Sequence, residues 1–159
     1  MIYLDASIVF SLYCADRNSV FAVSLIAAAR APLILSSLCE FEVVNAFSLC
    51  VFRKEIVGQE AQRARRKLDM NIESGAYLLR PLPESAFTRA KALAQKITPS
   101  VGVRAADLLH IAATFELGAK TLYTLDQKQH QAAQAAGLTV NHLPSPPCVL
   151  NGIQPSAQS

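Results

Sequence analysis

The chain begins Met1-Ile2-Tyr3-Leu4-Asp5-Ala6-Ser7, and the reading of this stretch decides the fold. Ile2-Tyr3-Leu4 is a short apolar run of the kind that forms a strand buried on both faces. Asp5 ends it. A carboxylate is costly to bury unpaired, so Asp5 belongs at the strand's carboxyl end rather than inside a sheet. Ser7 is placed to cap a helix opened by Ile8-Val9-Phe10. In open α/β sheets ligands bind beyond the carboxyl ends of the strands, which sets Asp5 at the mouth of a site. An Asx-turn or a helix cap explains the same local pattern and stays open at this point.

The same grammar recurs outward from that stretch. Leu33-Ile34-Leu35, Tyr77-Leu78-Leu79, Thr121-Leu122-Tyr123-Thr124 and Leu138-Thr139-Val140 are further candidate strands. Between them, helical periodicity and breaker residues predict helices over Ser7–Tyr13, Val20–Arg30, Leu38–Lys54, Gln59–Ser74, Ala86–Ile97, Arg104–Leu117 and Asp126–Ala136. Ser37, with Glu40 three residues on, reads as a capping box for the third of these. Gly75 reads as the C′ residue of the fourth, and Thr98-Pro99-Ser100-Val101-Gly102 as a loop. Strands alternating with helices predict a parallel sheet of four to five strands with helices on both faces. The domain is expected over residues 1–142. Residues 143–159, rich in Pro, Ser and Gln, read as a loose tail.

Composition narrows the class. A chain of 159 residues with 52% hydrophobic residues buries a real core, and disorder over most of its length is excluded. The absence of Trp and the many alanines favour close helix–sheet packing over a β-sandwich. A net charge of +3 permits a nucleic-acid partner without arguing for one. Cys14, Cys39, Cys50 and Cys148 have neither C-x-x-C spacing nor a nearby histidine at zinc-ligand intervals, so they read as reduced thiols. Without a positive n-region or a membrane-length apolar run, the expected setting is cytoplasmic, with no membrane.

The acids carry the chemistry. Only 12 Asp and Glu occur, and several stand where an acid is locally unfavourable. Asp5 follows the first strand and Asp126 the fourth, so a parallel sheet brings both to one edge. Asp107 opens the otherwise apolar helix Ala105-Ala106-Asp107-Leu108-Leu109-His110, where the helix dipole is a sufficient local reason. Glu42 lies inside a helix expected to be buried, with Asn45 on the same face. Like charges brought together repel unless a cation joins them. An all-oxygen set selects a hard ion, Mg²⁺ or Mn²⁺, and the chemistry implied is metal-assisted phosphodiester hydrolysis.

On these segments the chain resembles the PIN-domain family, and within it the VapC-type toxins of prokaryotic toxin–antitoxin pairs. The resemblance rests on Ile2-Tyr3-Leu4-Asp5-Ala6-Ser7, Ser36-Ser37-Leu38 through Glu42-Val43-Val44-Asn45-Ala46-Phe47, Arg104 through Ala112, and Leu122-Tyr123-Thr124-Leu125-Asp126 with Ala133 through Leu138. It implies a three-layer PIN-like fold and an Mg²⁺- or Mn²⁺-dependent endoribonuclease. It places Asp5, Glu42, Asp107 and Asp126 on the acidic quartet, as catalytic and metal-holding residues. Ser7 and Thr124 fall on supporting hydroxyl positions, and Asn45 joins them as a neighbour of Glu42. A homodimer and a small cognate antitoxin whose tail crosses the acidic groove are implied as partners, with RNA as substrate.

Blander readings stand beside these. His110 reads as a hydrogen-bonded core or interface histidine. Arg63, Arg65, Arg66 and Lys67 read as a solvated helix face, since no aromatic is interleaved with them. The apolar helices around Phe47 and Phe52 read as core by default, with an exposed side of one as a candidate dimer seam. A PIN-like module that binds RNA without cutting it is the alternative function. An aspartyl-phosphate phosphohydrolase is disfavoured because Ser7 stands where that chemistry wants a second aspartate, and no P-loop occurs.

Overall fold

The computed structural model describes residues 1–144; residues 145–159, with Cys148 and most of the expected tail, lie outside the described residues. The chain runs β1 (Ile2–Leu4), α1 (Ala6–Tyr13), α2 (Ser19–Ala28), β2 (Leu33–Ser36), α3 (Ser37–Phe52) and α4 (Gly58–Glu73). It continues through β3 (Leu78–Arg80), α5 (Ser85–Val101), α6 (Ala105–Glu116), β4 (Thr121–Tyr123), α7 (Gln127–Ala135) and β5 (Thr139–Val140). All strand pairings are parallel, in the order β3-β2-β1-β4-β5. The expected parallel sheet is present, with five strands.

Alternation along the central strands builds three layers. Tyr3, Ile34 and Leu122 point to one face, where Ala90, Ile111 and Ala133 of α5, α6 and α7 cover them. Ile2, Leu4 and Leu35 point to the other, against Val9, Phe47 and Leu68 of α1, α3 and α4. With β1 in the middle, both its faces are covered, which is why its residues form an uninterrupted apolar run. Asp5 follows directly on the end of β1 and is itself still buried.

Several local expectations are corrected. The cap of α1 is Asp5 rather than Ser7: the extended backbone at Asp5 lets its Oδ1 accept from the Ser7 amide at 2.7 Å. Ser36, not Ser37, caps α3 by accepting from the Cys39 amide, while Ser37 Oγ accepts from the Leu82 amide. Glu40 makes no capping box; its carboxylate turns to Arg65. Residues 98–101 are helical rather than a loop, and only Gly102 lies outside the helix. Helix α5 runs through Pro99 and stops at Gly102, whose left-handed backbone (φ 67°) returns its amide to Thr98 O. Proline removes one helical bond near the helix end, and buried Ile97 keeps the turn packed on the sheet. Gly75, at φ 77°, follows α4 as anticipated.

Phe47 is core, but Phe52 is 82% exposed, because α3 outruns the layer it packs on. Of the basic set on α4, Arg65 pairs with Asp69 and Glu40, and Arg63, Arg66 and Lys67 are exposed.

Cys14, Cys39 and Cys50 are free and buried. Burial pushes all three thiols up, and Cys50, next to Glu55, reaches about 11. At pH 8 the folded protein is therefore expected to alkylate at these cysteines far more slowly than the urea-unfolded chain, whose thiols return to the ordinary range. Peptide mass spectrometry after timed iodoacetamide exposure checks this. Labelling of Cys39 at the unfolded rate would contradict its burial.

Candidate active site

Adjacent parallel strands deliver two acids to one edge. β1 pairs with β4, Tyr3 against Leu122 and Leu4 against Tyr123, so the turns that follow the two strands lie side by side. Asp5 is buried, at 5% exposure, and its carboxylate knits those turns together. Oδ2 accepts from Ser7 Oγ at 2.9 Å and from Thr124 Oγ1 at 2.5 Å. Each hydroxyl is in turn an acceptor: Ser7 Oγ takes the Leu125 amide and Thr124 Oγ1 the Asp126 amide. Both protons are thereby directed at Asp5, the geometry a buried carboxylate requires.

The β4–α7 turn has a second clamp that the sequence did not announce. Asn141, just past β5, accepts from the Thr124 amide at 2.8 Å and donates to the Thr124 carbonyl at 3.0 Å. A polar residue directly after a two-residue strand was the available signal.

Asp126 is exposed and caps α7, with Oδ1 taking the Gln129 amide. Asp107, in the first turn of α6, reaches back with Oδ2 to the Arg104 amide at 3.2 Å. Its carboxyl is raised above the ordinary range, chiefly by burial; the Arg104 amide works against this, and the charges of Asp126 and Asp5 add to it. Three of the four acids thus sense one another. Glu42 joins through His110, whose Nε2 lies 2.5 Å from Glu42 Oε2. Burial opposes protonation of His110. The hydrogen bond to Glu42 and the charges of Asp5, Glu42 and Asp107 nevertheless raise its pKa.

Ser7, Glu42, Asn45 and Asp126 line a cleft of about 540 Å³ between α1 and α3, which extends to Asp16 and Asn18. Asp5 and Asp107 lie outside that lining. Among the described residues no hydrogen bond ties Asn45 to any of the four acids, although it shares the cleft wall with Glu42 and Asp126.

Among the described residues, no three His, Cys, Asp or Glu side chains are set to hold one metal ion jointly. Each acid has an oxygen turned to a donor of the protein. The donor set still suits a hard cation. Asp107 uses only Oδ2, Glu42 only Oε2 and Asp126 only Oδ1, so one oxygen of each has no hydrogen-bond partner among the described residues. No ion pair there joins Asp5, Asp107 or Asp126 to Lys or Arg. Like charges without a basic partner are the electrostatic setting in which oxygen ligands hold Mg²⁺ or Mn²⁺.

His110 is buried at 1% exposure, as a core histidine should be. What sequence reasoning missed is its partners, Tyr3 through Nδ1 and Glu42 through Nε2. The spacing from Asp107, one helical turn, was the only signal.

The sequence profile of one family, described as PIN domain, matches residues 2–135. Among solved structures, the chain is similar to the VapC20 toxin of Mycobacterium tuberculosis, described as cleaving the sarcin–ricin loop, with 18% identity over 87% of this chain and 97% of that one and a TM-score of 0.65. VapBC2 from Rickettsia felis, bound to a DNA fragment from its promoter, aligns with 17% identity over 89% and 98% of the two chains and a TM-score of 0.63. FitAcB from Neisseria gonorrhoeae aligns with 17% identity over 89% and 97% and a TM-score of 0.62. At such identities the likeness is one of fold. No curated protein sequence matches the chain.

Proposed function

The chain belongs to the PIN domain family, and from that premise we propose that it is a divalent-metal-dependent endoribonuclease, the toxin of a toxin–antitoxin pair. The observation that carries the reading is that acids following β1, on α3, on α6 and following β4 share one edge of the sheet, with no Lys or Arg paired to Asp5, Asp107 or Asp126 among the described residues. Asp5 and Asp107 are the direct ligands of Mg²⁺ or Mn²⁺, short aspartates held at element ends. Glu42 and Asp126 complete the shell directly or through water. A bound ion supplies a more acidic water and offsets charge building on the phosphate. Ser7 and Thr124 hold the Asp5 carboxylate in place by directing both their hydroxyl protons at its Oδ2. Asn45, on the cleft wall with Glu42, is a supporting residue.

The partners follow from the same reading. The likeness to VapBC2 and FitAcB supports a small cognate antitoxin, whose segment would cross the acidic cleft. Exposed Val20 and Val23 on α2 and Phe41 and Phe52 on α3 support a homodimer, since isolated monomers seldom leave so much apolar surface in water. No helix among the described residues is long and apolar enough to cross a membrane, and we place the protein in the cytoplasm.

Cleavage of RNA by the purified chain is expected with Mg²⁺ or Mn²⁺, lost in EDTA and restored by excess metal. The same ions should raise the melting temperature, by the equivalent of about 1.4 kcal/mol at ten times the dissociation constant. A second reading draws on the side chains as they are set: Asp5 and Asp126 cap helices, and among the described residues no three acids share one ion position. In that reading the domain binds RNA without cutting it. Retention of RNA with no new ends, with metal or without, would establish it over the nuclease.

A further inference from the structure

Glu42 is the member of the quartet with no capping bond, yet its carboxylate is anchored. The anchor is a buried chain of side chains: Ser36 Oγ to Tyr3 Oη at 2.5 Å, Tyr3 Oη to His110 Nδ1 at 2.8 Å, and His110 Nε2 to Glu42 Oε2 at 2.5 Å. Ser36, Tyr3 and His110 are each at most 1% exposed. The chain crosses the molecule from the cap of α3, through β1, to α6, and returns to α3. His110 follows Asp107 by one turn of α6, and Tyr3 precedes Asp5 by two residues of β1, so the chain runs directly behind two other acids of the quartet.

The proton order settles which way it acts. A carboxylate only accepts, so His110 Nε2 is the donor to Glu42; in the neutral ring Nδ1 then accepts the Tyr3 phenol proton, and Tyr3 Oη takes that of Ser36. In the imidazolium the phenol turns to Ser36 instead, and Nε2 still donates to Glu42. Either way Oε2 is held and Oε1 is left for the cleft.

We propose that His110, steadied by Tyr3 and Ser36, is a positioning residue that fixes the Glu42 carboxylate for its role at the cation and the scissile phosphate. This rests on the nuclease reading above. A purely structural chain is the competing explanation: three polar groups in a core are tolerated wherever they satisfy one another. The two differ in what the last bond does, because this one ends on a cleft carboxylate whose side chain is 29% exposed. Donors behind a ligating group typically govern metal affinity or activity by about 10- to 100-fold.

The experiment uses the full chain as wild type, His110→Leu, His110→Gln and Tyr3→Phe. Mn²⁺ affinity is read by calorimetry, kcat and KM for RNA separately, and folding by melting temperature. His110→Leu should weaken Mn²⁺ binding and lower kcat by about 10- to 100-fold, with KM for RNA little changed. His110→Gln, which can still present an N–H to Glu42, should recover most of that loss. Tyr3→Phe should fall between, since it leaves the imidazole in place but unsteadied. Wild-type Mn²⁺ affinity and kcat in His110→Leu, with only the melting temperature reduced, would overturn the proposal. If His110→Leu does not fold, wild-type values in Tyr3→Phe overturn it equally. Failure of the nuclease reading looks different: the wild type itself would neither bind Mn²⁺ nor cut RNA, and this assignment would go with it.

Discussion

Asp107→Asn is expected to lower RNA cleavage by about 10²- to 10³-fold or more while the protein keeps its fold; that is the range for losing one preorganised electrostatic group from an active site. The substitution removes a full negative charge from the place where the site needs it. It disturbs little else. The amide oxygen of asparagine can go on accepting the Arg104 amide that Asp107 Oδ2 now takes. Burial and the neighbouring charges of Asp126 and Asp5 raise the Asp107 carboxyl in the folded protein, so its ionised form is unfavourable there. A neutral side chain relieves that repulsion and gives up a helix-dipole contribution of about 0.3–1 kcal/mol. These effects oppose each other, and the melting temperature should move by no more than about 2–4 °C. Sequencing of RNA ends from both proteins under matched metal reads the outcome. If the variant yields the wild-type pattern at the wild-type rate, Asp107 is a capping acid and nothing more.

Asp5→Asn should also abolish cleavage, but with a large loss of stability that Asp107→Asn does not share. The difference lies in the bonds. Ser7 Oγ and Thr124 Oγ1 are each committed as acceptors to backbone amides, so their protons have nowhere to point but Asp5 Oδ2. An asparagine there can keep Oδ1 on the Ser7 amide but then presents its NH₂ to two hydroxyl donors. Buried Thr124 Oγ1 is then a donor without an acceptor, at about 1–3 kcal/mol, and half-buried Ser7, on the cleft wall, loses less. At about 2–4 °C per kcal/mol for a chain of this size, the midpoint should fall by roughly 10 °C. Thermal denaturation followed by circular dichroism checks this. A midpoint within 2–3 °C of wild type would mean that the β1–α1 and β4–α7 turns are not held together as described. The pair of variants therefore separates a lost charge from a lost scaffold, and Asp107→Asn is the cleaner reporter on catalysis.

Local rules located the strands well because their signal is local. A parallel strand covered on both faces is apolar throughout, and Ile2–Leu4 and Leu33–Leu35 show it within three residues. Boundaries were less legible. Ser36 and Ser37 are chemically alike, and only the backbone angles at Ser36 decide which of them caps α3. Pro99 argued for a loop on good grounds, and the packing of Ile97 overrode it. Phe52 could not be told from core by composition, since its exposure depends on where the neighbouring layer stops.

What the amino-acid order alone determined is the alternation of strand and helix and the acid that closes β1 and β4, because both follow from burial and capping within a few residues. The tertiary structure decided which of those acids meet. Strand order β2-β1-β4 sets Asp5 beside Thr124, 119 residues away, and the placing of α3 and α6 on opposite faces of the sheet lets Glu42 reach His110, 68 residues away. No local pattern encodes either contact. Each is set by which strands pair and how the helices lie over them, and that depends on the packing of the whole core.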